Sequence, residues 1–274
     1  MDTADVIVVG LGAMGSATLR QLARRRVPAI GIDRFHPPHP EGSTHGDTRI
    51  TRLAIAEGPQ YVPLVLRSHE LWRELEAETG EELLTITGAL VMDDAAGDAA
   101  QGATAISYAR SSIEAAQRYG IEHEVLDQAS IAARFPRLRP LRPTLGYYEP
   151  GGGFVRPERA VAAQLQLAER DGAELRLGER VLRVSAEGGR VTVATDRDTY
   201  SAGQVVLSAG PWLATLLDDP DLGALFGVYR QVLHWFEVPE LEGFTPGSLP
   251  VFLSNFGSSR NDGIYGFPAI DGLP

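Results

Sequence analysis

A chain of 274 residues is long enough for two domains and a sizeable core. Its composition, 43% hydrophobic and 22% charged, marks a folded globular protein, and the net charge of −11 argues against a nucleic-acid or anionic-membrane surface. The absence of cysteine excludes disulfides, thiolate catalysis and zinc–thiolate sites, and since all 25 basic residues are arginine, a lysine Schiff base or lysine base is excluded too. No stretch approaches the roughly 18 consecutive apolar residues of a membrane span. The acidic start Met1–Asp5 runs straight into a strand and is no signal peptide. The expectation is a soluble, cytoplasmic protein.

Val6 to Val9 is a short, wholly apolar run, the mark of a strand buried on both faces of a parallel sheet. Gly10-Leu11-Gly12-Ala13-Met14-Gly15 follows, and Ala17 to Arg26 predicts a helix, with Leu19, Leu22 and Ala23 at helical spacing. Ala29 to Ile32 predicts a second strand, ending at Asp33. This is the strand–helix–strand context that a dinucleotide fingerprint requires. The first glycine permits the tight turn, the second lets backbone approach a pyrophosphate, and the third lets helix and strand pack closely. The helix N-terminus offers amide donors to phosphates, and Asp33 can take ribose hydroxyls. The fingerprint alone does not separate NAD from FAD. A nicotinamide-type domain would continue with another helix and parallel strand, whereas here Phe35, Pro37 and Pro38 break the alternation, which favours a flavin.

Tyr61 to Glu78 predicts an amphipathic helix carrying Val62, Leu66, Trp72 and Leu75 inward, with Trp72 as framework. Leu83 to Met92 predicts a strand, Ala105 to Tyr119 a helix stopped by Gly120, and Ser130 to Arg134 a short helix. Gly151 to Gly153 marks a hinge or tight turn, and Pro157 opens a helix to about Arg170. Glu174 to Leu177, Val181 to Ser185 and Val191 to Thr195 then predict a β-meander. Gln204 to Ser208 predicts a buried strand running into Ala209-Gly210 and a short helix with Trp212, Leu216 and Leu217. That Ala-Gly turn is either a second approach of backbone to cofactor or an ordinary strand-to-helix turn. Tyr229 to Val238 alternates with period two and predicts an antiparallel strand of a second domain, with His234 facing a pocket beside Arg230. Val251 to Leu253 and Gly263 to Phe267 predict a hairpin around Ser258 to Asp262, after which Gly272-Leu273-Pro274 ends the sequence as if cut. His36, His39, His69 and His123 have no partner at metal-ligand spacing and read as surface residues; no metal is expected.

Between Asp33 and the first long helix lies the polar stretch His39 to Arg52, HPEGSTHGDTRITR. By residue type alone, Arg52 in such a loop would be a surface arginine. Its core, Gly42-Ser43-Thr44-His45-Gly46-Asp47-Thr48-Arg49…Arg52, together with Tyr61-Val62-Pro63-Leu64, Tyr229-Arg230-Gln231-Val232 and Tyr265-Gly266-Phe267-Pro268, resembles the monomeric sarcosine oxidase and N-methyltryptophan oxidase family among the D-amino-acid-oxidase-like flavoproteins. The resemblance implies an α/β (α+β overall) fold: a doubly wound FAD domain from residues 1–85 and 148–217, and a mixed or antiparallel-sheet substrate domain from 86–147 and 218–274. It also implies a monomer that takes a small-molecule N-methyl amino acid and oxygen. A hydride equivalent would pass to the flavin, the imine would hydrolyse to formaldehyde and the primary amino acid, and oxygen would yield hydrogen peroxide.

By the same resemblance, Arg52 would grip the substrate carboxylate, His45 and Arg49 would flank the flavin ring, and Thr48 and Tyr265 would line the substrate pocket. Gly10, Gly12, Ala13, Met14, Gly15, Asp33, Arg34, Phe35, Ser43, Thr44, Thr48, Arg49, Val181, Ala209, Gly210 and Trp212 would hold the cofactor. These types make chemical sense: arginine is a planar fork for a carboxylate, and positive charge beside the flavin favours its anionic reduced form. Two departures stand out. Thr44 replaces the first of the family's paired histidines. The family also continues past this sequence, to a lysine promoting the oxygen reaction and a cysteine tethering flavin, so covalent attachment is left open. Another flavin amine oxidase or dehydrogenase of this fold, or a non-catalytic FAD-binding remnant, are the alternatives.

Overall fold

The computed structural model describes residues 3–94, 107–217, 219–255 and 263–270. In chain order the elements are β1 (Thr3–Val9), α1 (Ala13–Arg24), β2 (Ala29–Asp33), β3 (Arg49–Thr51), a 3-10 turn (Pro59–Tyr61) and α2 (Val62–Thr79). Then come β4 (Leu84–Ile86), β5 (Ala89–Asp94), α3 (Tyr108–Tyr119), β6 (Glu124–Asp127), α4 (Gln128–Arg134), β7 (Thr144–Glu149) and β8 (Gly153–Val155). The rest comprises α5 (Pro157–Arg170), β9 (Glu174–Leu177), β10 (Val181–Glu187), β11 (Arg190–Thr195), β12 (Thr199–Leu207), a 3-10 helix (Gly210–Leu216), α6 (Pro220–Ala224), β13 (Val251–Asn255) and β14 (Gly263–Gly266). The chain divides into two compact units. One comprises Met1–Asp47, Leu75–Leu83 and Arg156–Leu233, and the other Thr48–Glu74, Leu84–Val155 and His234–Pro274.

In the first unit the apolar run became the middle of a six-stranded sheet of order β10-β11-β12-β1-β2-β9. β1 is parallel to both β2 and β12, so its backbone is paired on both edges. Its side chains alternate between two cores. Val6 and Val8 pack with Leu19 of α1 and Val161 and Leu165 of α5, while Ile7 and Val9 pack with Ile30, Ile32, Val193 and Tyr200. Ile7, Val8 and Ile32 are fully buried, each stabilising the sheet by about 1.5–3 kcal/mol.

The second unit holds two sheets. One has the order β14-β13-β5-β7-β6, with β5 and β13 parallel and the other pairs antiparallel. α3 covers one face through Ala109, Ala115 and Ala116 against Val91 and Tyr147, and α4 covers the other through Ile131 beside Leu90 and Met92. α3 is capped at both ends: the Ser107 side chain accepts from the Arg110 amide, and Gly120 is left-handed at φ 65°. The smaller sheet, β3-β8-β4, is antiparallel and carries the Arg49–Thr51 segment.

Four expectations are corrected. α1 starts at Ala13, not Ala17, because the close packing of Gly15 in its first turn outweighs glycine's poor helix propensity. The strand expected over Leu83 to Met92 is two, in different sheets, broken at Thr87-Gly88, where Gly88 has φ 76°. Of the predicted meander, β9 instead lies parallel to β2 at the opposite sheet edge, and the true meander is β10-β11-β12. Tyr229 to Val238 forms no strand. Tyr229, Val232 and Phe236 are 83%, 65% and 76% exposed, because alternation defines faces but a ladder also needs a neighbour, and no described strand runs beside it. The expected helix start at Ala105, the hairpin tip Ser258 to Asp262 and the end Gly272 to Pro274 lie outside the described residues.

Candidate cofactor cleft and substrate-binding corner

The glycine-rich turn between β1 and α1 opens onto a cavity of about 1120 Å³, counting its open mouth, lined entirely by the first unit. Gly10 sits at φ 86°, and a Cβ there would lie 2.5 Å from the Ser208 carbonyl oxygen. A Cβ on Gly15 would stand 1.8 Å from the Gly10 carbonyl oxygen, so the crossing of turn and helix leaves no room for a side chain. The Ser208 hydroxyl, at the end of β12, donates to the Gly10 carbonyl at 2.7 Å. The Thr44 hydroxyl accepts from the Ala13 amide at the start of α1 at 3.2 Å, so the threonine in place of a histidine acts on the helix N-terminus.

Asp33 ends β2 with its carboxylate buried. Oδ2 accepts from the Leu11 amide at 2.7 Å and Oδ1 from the Phe35 amide at 2.8 Å. The His39 ring lies 3.8 Å from Oδ1 and 4.7 Å, centroid to centroid, from Phe35. Phe35 in turn is 5.6 Å from Trp212, and the Arg34 guanidinium lies over both rings, at 5.2 and 5.9 Å. Glu179, buried in the cavity wall, accepts from Thr195 at 2.5 Å and Tyr200 at 2.8 Å. Burial and that carboxylate push the Tyr200 hydroxyl up to about 12.

Every expected cofactor residue except Gly15, Thr48 and Arg49 lines this one cavity. Gly15 shapes it from behind, through Gly10. Sequence reasoning missed His39 and Glu179. Of the histidines read as surface, His39, His69 and His123 are half-buried, and only His36 is exposed. His69 bonds Thr51 Oγ1 at 2.8 Å, and His123 stacks on Tyr147 at 5.6 Å. His234 is exposed and lines no part of the cavity. Among the described residues no group of three or more acidic or histidine side chains could hold a metal.

The motif's remaining residues take two settings. Gly46 and Asp47 both have positive φ, 96° and 59°, and the Asp47 amide donates to Glu158 at the start of α5 at 3.2 Å, which bends the chain sharply after His45. In the second unit, β3 pairs Arg49 with Val155 and Thr51 with Gly153. Thr48 is buried, and Arg52, immediately after β3, is 7% exposed. Arg52 Nη2 donates to Glu57 at 2.9 Å, while its buried Nη1 has no hydrogen-bond partner. Close by, Glu149 is fully buried and accepts from Tyr147 at 2.6 Å. Burial pushes the Glu149 carboxyl up against the opposing pull of Tyr147, the Ala54 and Leu53 amides and Arg52; burial and Glu149 push the Tyr147 hydroxyl far up. Tyr265, on β14, is 45% exposed and meets Phe267 edge-on at 6.0 Å.

The model of the family described as FAD dependent oxidoreductase matches residues 5–273. The chain belongs to that family. Monomeric sarcosine oxidase of Streptomyces avermitilis is 41% identical over 271 residues, 98% of this chain and 67% of that protein. N-methyl-L-tryptophan oxidase of Salmonella heidelberg is 31% identical over 265 residues, 97% of this chain and 67% of that protein. Among solved structures, the open form of NikD, an unusual amino acid oxidase essential for nikkomycin biosynthesis, superposes with a TM-score of 0.76 at 28% identity, covering all of this chain and 68% of that one. The chain thus spans about two thirds of the length of the relatives it matches. The cleft fits the family's FAD. A glycine cradle admits no Cβ, a helix N-terminus faces the cavity, and an aspartate ends the second strand as a dinucleotide site requires. No helix among the described residues is long and apolar enough to cross a membrane.

Proposed function

We propose that the protein is an FAD-dependent oxidase of N-methyl amino acids such as sarcosine. The products are formaldehyde and the primary amino acid, released by hydrolysis of the imine, with hydrogen peroxide formed from oxygen. The observation that carries this reading is Arg52: an arginine 7% exposed, with one buried guanidinium nitrogen unpaired. A buried unpaired donor is costly until an acceptor arrives, and a carboxylate matches the guanidinium fork. The names of the relatives, sarcosine and N-methyltryptophan oxidases, support the substrate class.

Bound FAD supplies the two-electron acceptor. In this reading the Gly10–Gly15 turn and the N-terminus of α1 receive the pyrophosphate, with Ser43 and Thr44 beside them, and Asp33 takes the ribose hydroxyls. Arg34, Phe35, Val181, Ala209, Gly210 and Trp212 bound the remainder of the cleft. Arg52 orients the substrate carboxylate, His45 and Arg49 flank the flavin ring with Arg49 supplying positive charge there, and Thr48 and Tyr265 line the substrate pocket. The protein acts as a cytoplasmic monomer. Titrating the purified protein with FAD, then measuring oxygen uptake and peroxide with sarcosine, other N-methyl amino acids and primary amino acids, tests this directly. Saturable quenching of FAD fluorescence and preferential turnover of N-methyl substrates are expected. Absence of FAD binding, or turnover confined to primary amino acids, overturns it.

A further inference from the structure

The chain leaving β3 is held by one buried carboxylate. Glu149 Oε1 accepts from the Leu53 amide at 2.5 Å, and Oε2 accepts from the Ala54 amide at 2.9 Å and from the Tyr147 hydroxyl at 2.6 Å. Glu149, Ala54 and Tyr147 are 0% exposed, so the Ala54 amide and the Tyr147 hydroxyl would be costly to leave unpaired. The two amides belong to the residues that directly follow Arg52. Among the described residues its guanidinium pairs with Glu57, whose side chain is half exposed and gives weak anchorage. The orientation of Arg52 is therefore set chiefly by its backbone, and the backbone by Glu149.

The glycine triplet after β7 reserves the space for this arrangement. A Cβ on Gly152 would come within 2.9 Å of Glu149 Oε1 and 2.4 Å of Ala89 Cβ, and one on Gly151 within 2.6 Å of Leu53 Cδ1. Packing alone does not call for a carboxylate here. A β-strand end in an apolar interior is served more cheaply by an apolar side chain, and a buried carboxylate is tolerated when donors surround it on every side.

We infer that Glu149 is a positioning residue: it fixes the Arg52–Ala54 backbone so that the free face of the Arg52 guanidinium is presented to a ligand carboxylate, and Tyr147 holds Glu149 in place. The inference rests on the reading of Arg52 given above. A glutamine at position 149 keeps one acceptor oxygen but turns an amide NH₂ toward one of the three donors, which shifts the clamp without emptying the site.

The test uses the FAD-loaded protein with acetate, a carboxylate that cannot be dehydrogenated as an amine, and measures its Kd by calorimetry alongside the KM and kcat for sarcosine. Glu149→Gln is expected to raise the acetate Kd and the sarcosine KM about tenfold, with kcat and FAD affinity within about twofold of the parent. Tyr147→Phe is expected to raise both about threefold. A purely structural role would lower thermal stability and FAD affinity together and spare acetate selectively. If Arg52→Ala weakens acetate binding but Glu149→Gln does not, the positioning role is overturned while the Arg52 reading stands. If Arg52→Ala leaves acetate binding unchanged, the Arg52 reading itself fails and takes this one with it. Should Glu149→Gln not fold, a folded Tyr147→Phe protein with the parent's acetate Kd overturns the inference.

Discussion

The cleft and the Arg52 corner are built in opposite ways. In the cleft, six consecutive residues, Gly10 to Gly15, supply the turn, the cradle and the helix start, and what matters at two of them is the absence of a side chain. In the corner, the Glu149 carboxylate binds the Tyr147 hydroxyl and, nearly a hundred residues back in the chain, the amides of Leu53 and Ala54 that follow Arg52. Backbone geometry written in one short stretch makes the first; side chains delivered by separate strands make the second. The two should therefore fail differently: the cleft to a single added methyl group, the corner to a lost charge.

The largest effect is expected at Gly15. Its substitution by alanine places a Cβ 1.8 Å from the Gly10 carbonyl and should weaken FAD binding about 100-fold, about 2.7 kcal/mol, as read by fluorescence titration. An unchanged FAD affinity would show that the cradle has slack. Next, Arg52→Ala should raise the KM for N-methyl amino acids tenfold or more, about 1.4 kcal/mol for a lost charged hydrogen bond, with FAD affinity kept. Equal losses in both would erase the distinction between the two regions.

Thr44 sharpens the comparison from the cleft side, because there a side chain does take part. Thr44→Val removes the acceptor for the Ala13 amide and should cost about 1 kcal/mol of stability, seen as a lowered Tm. A Tm equal to the parent's would remove Thr44 from the helix start. The smallest effect concerns His69, beside β3. Burial, and then Arg73, hold its imidazole below the ordinary range, so the folded state favours the neutral ring. That contribution is complete above about pH 6.5 and is lost as pH falls toward and through the lower folded-state value. The parent should therefore lose more Tm than His69→Gln between about pH 7.5 and about pH 5; parallel curves would assign the acid sensitivity elsewhere.

Local signals were legible where neighbours in sequence are neighbours in space. The apolar run of β1, the glycine turn, Asp33, and the Gly120 and Pro157 helix boundaries are of this kind, whereas Val181, which shares the cleft wall with the glycine turn and Asp33, was expected only through the resemblance. The half-burial of His39 was not legible, because its ring is placed by Phe35 and Asp33 and not by any spacing between histidines. Period two in Tyr229 to Val238 did not suffice either, since strand pairing is a property of two segments and the described residues provide only one.

The sequence by itself determined the dinucleotide turn, because contiguous residues with geometry fixed by backbone sterics carry it, and the family, because short motifs along the chain carry it. Tertiary structure alone decided that β9 crosses to the far edge of its sheet, that Leu83 to Met92 is split between two sheets, and that Glu149 and Tyr147 stand beside Arg52. The physical reason is the same in each case. A strand's neighbours and a buried charge's partners are chosen by long-range burial and hydrogen-bond satisfaction, and neither leaves a periodic trace in the residues between.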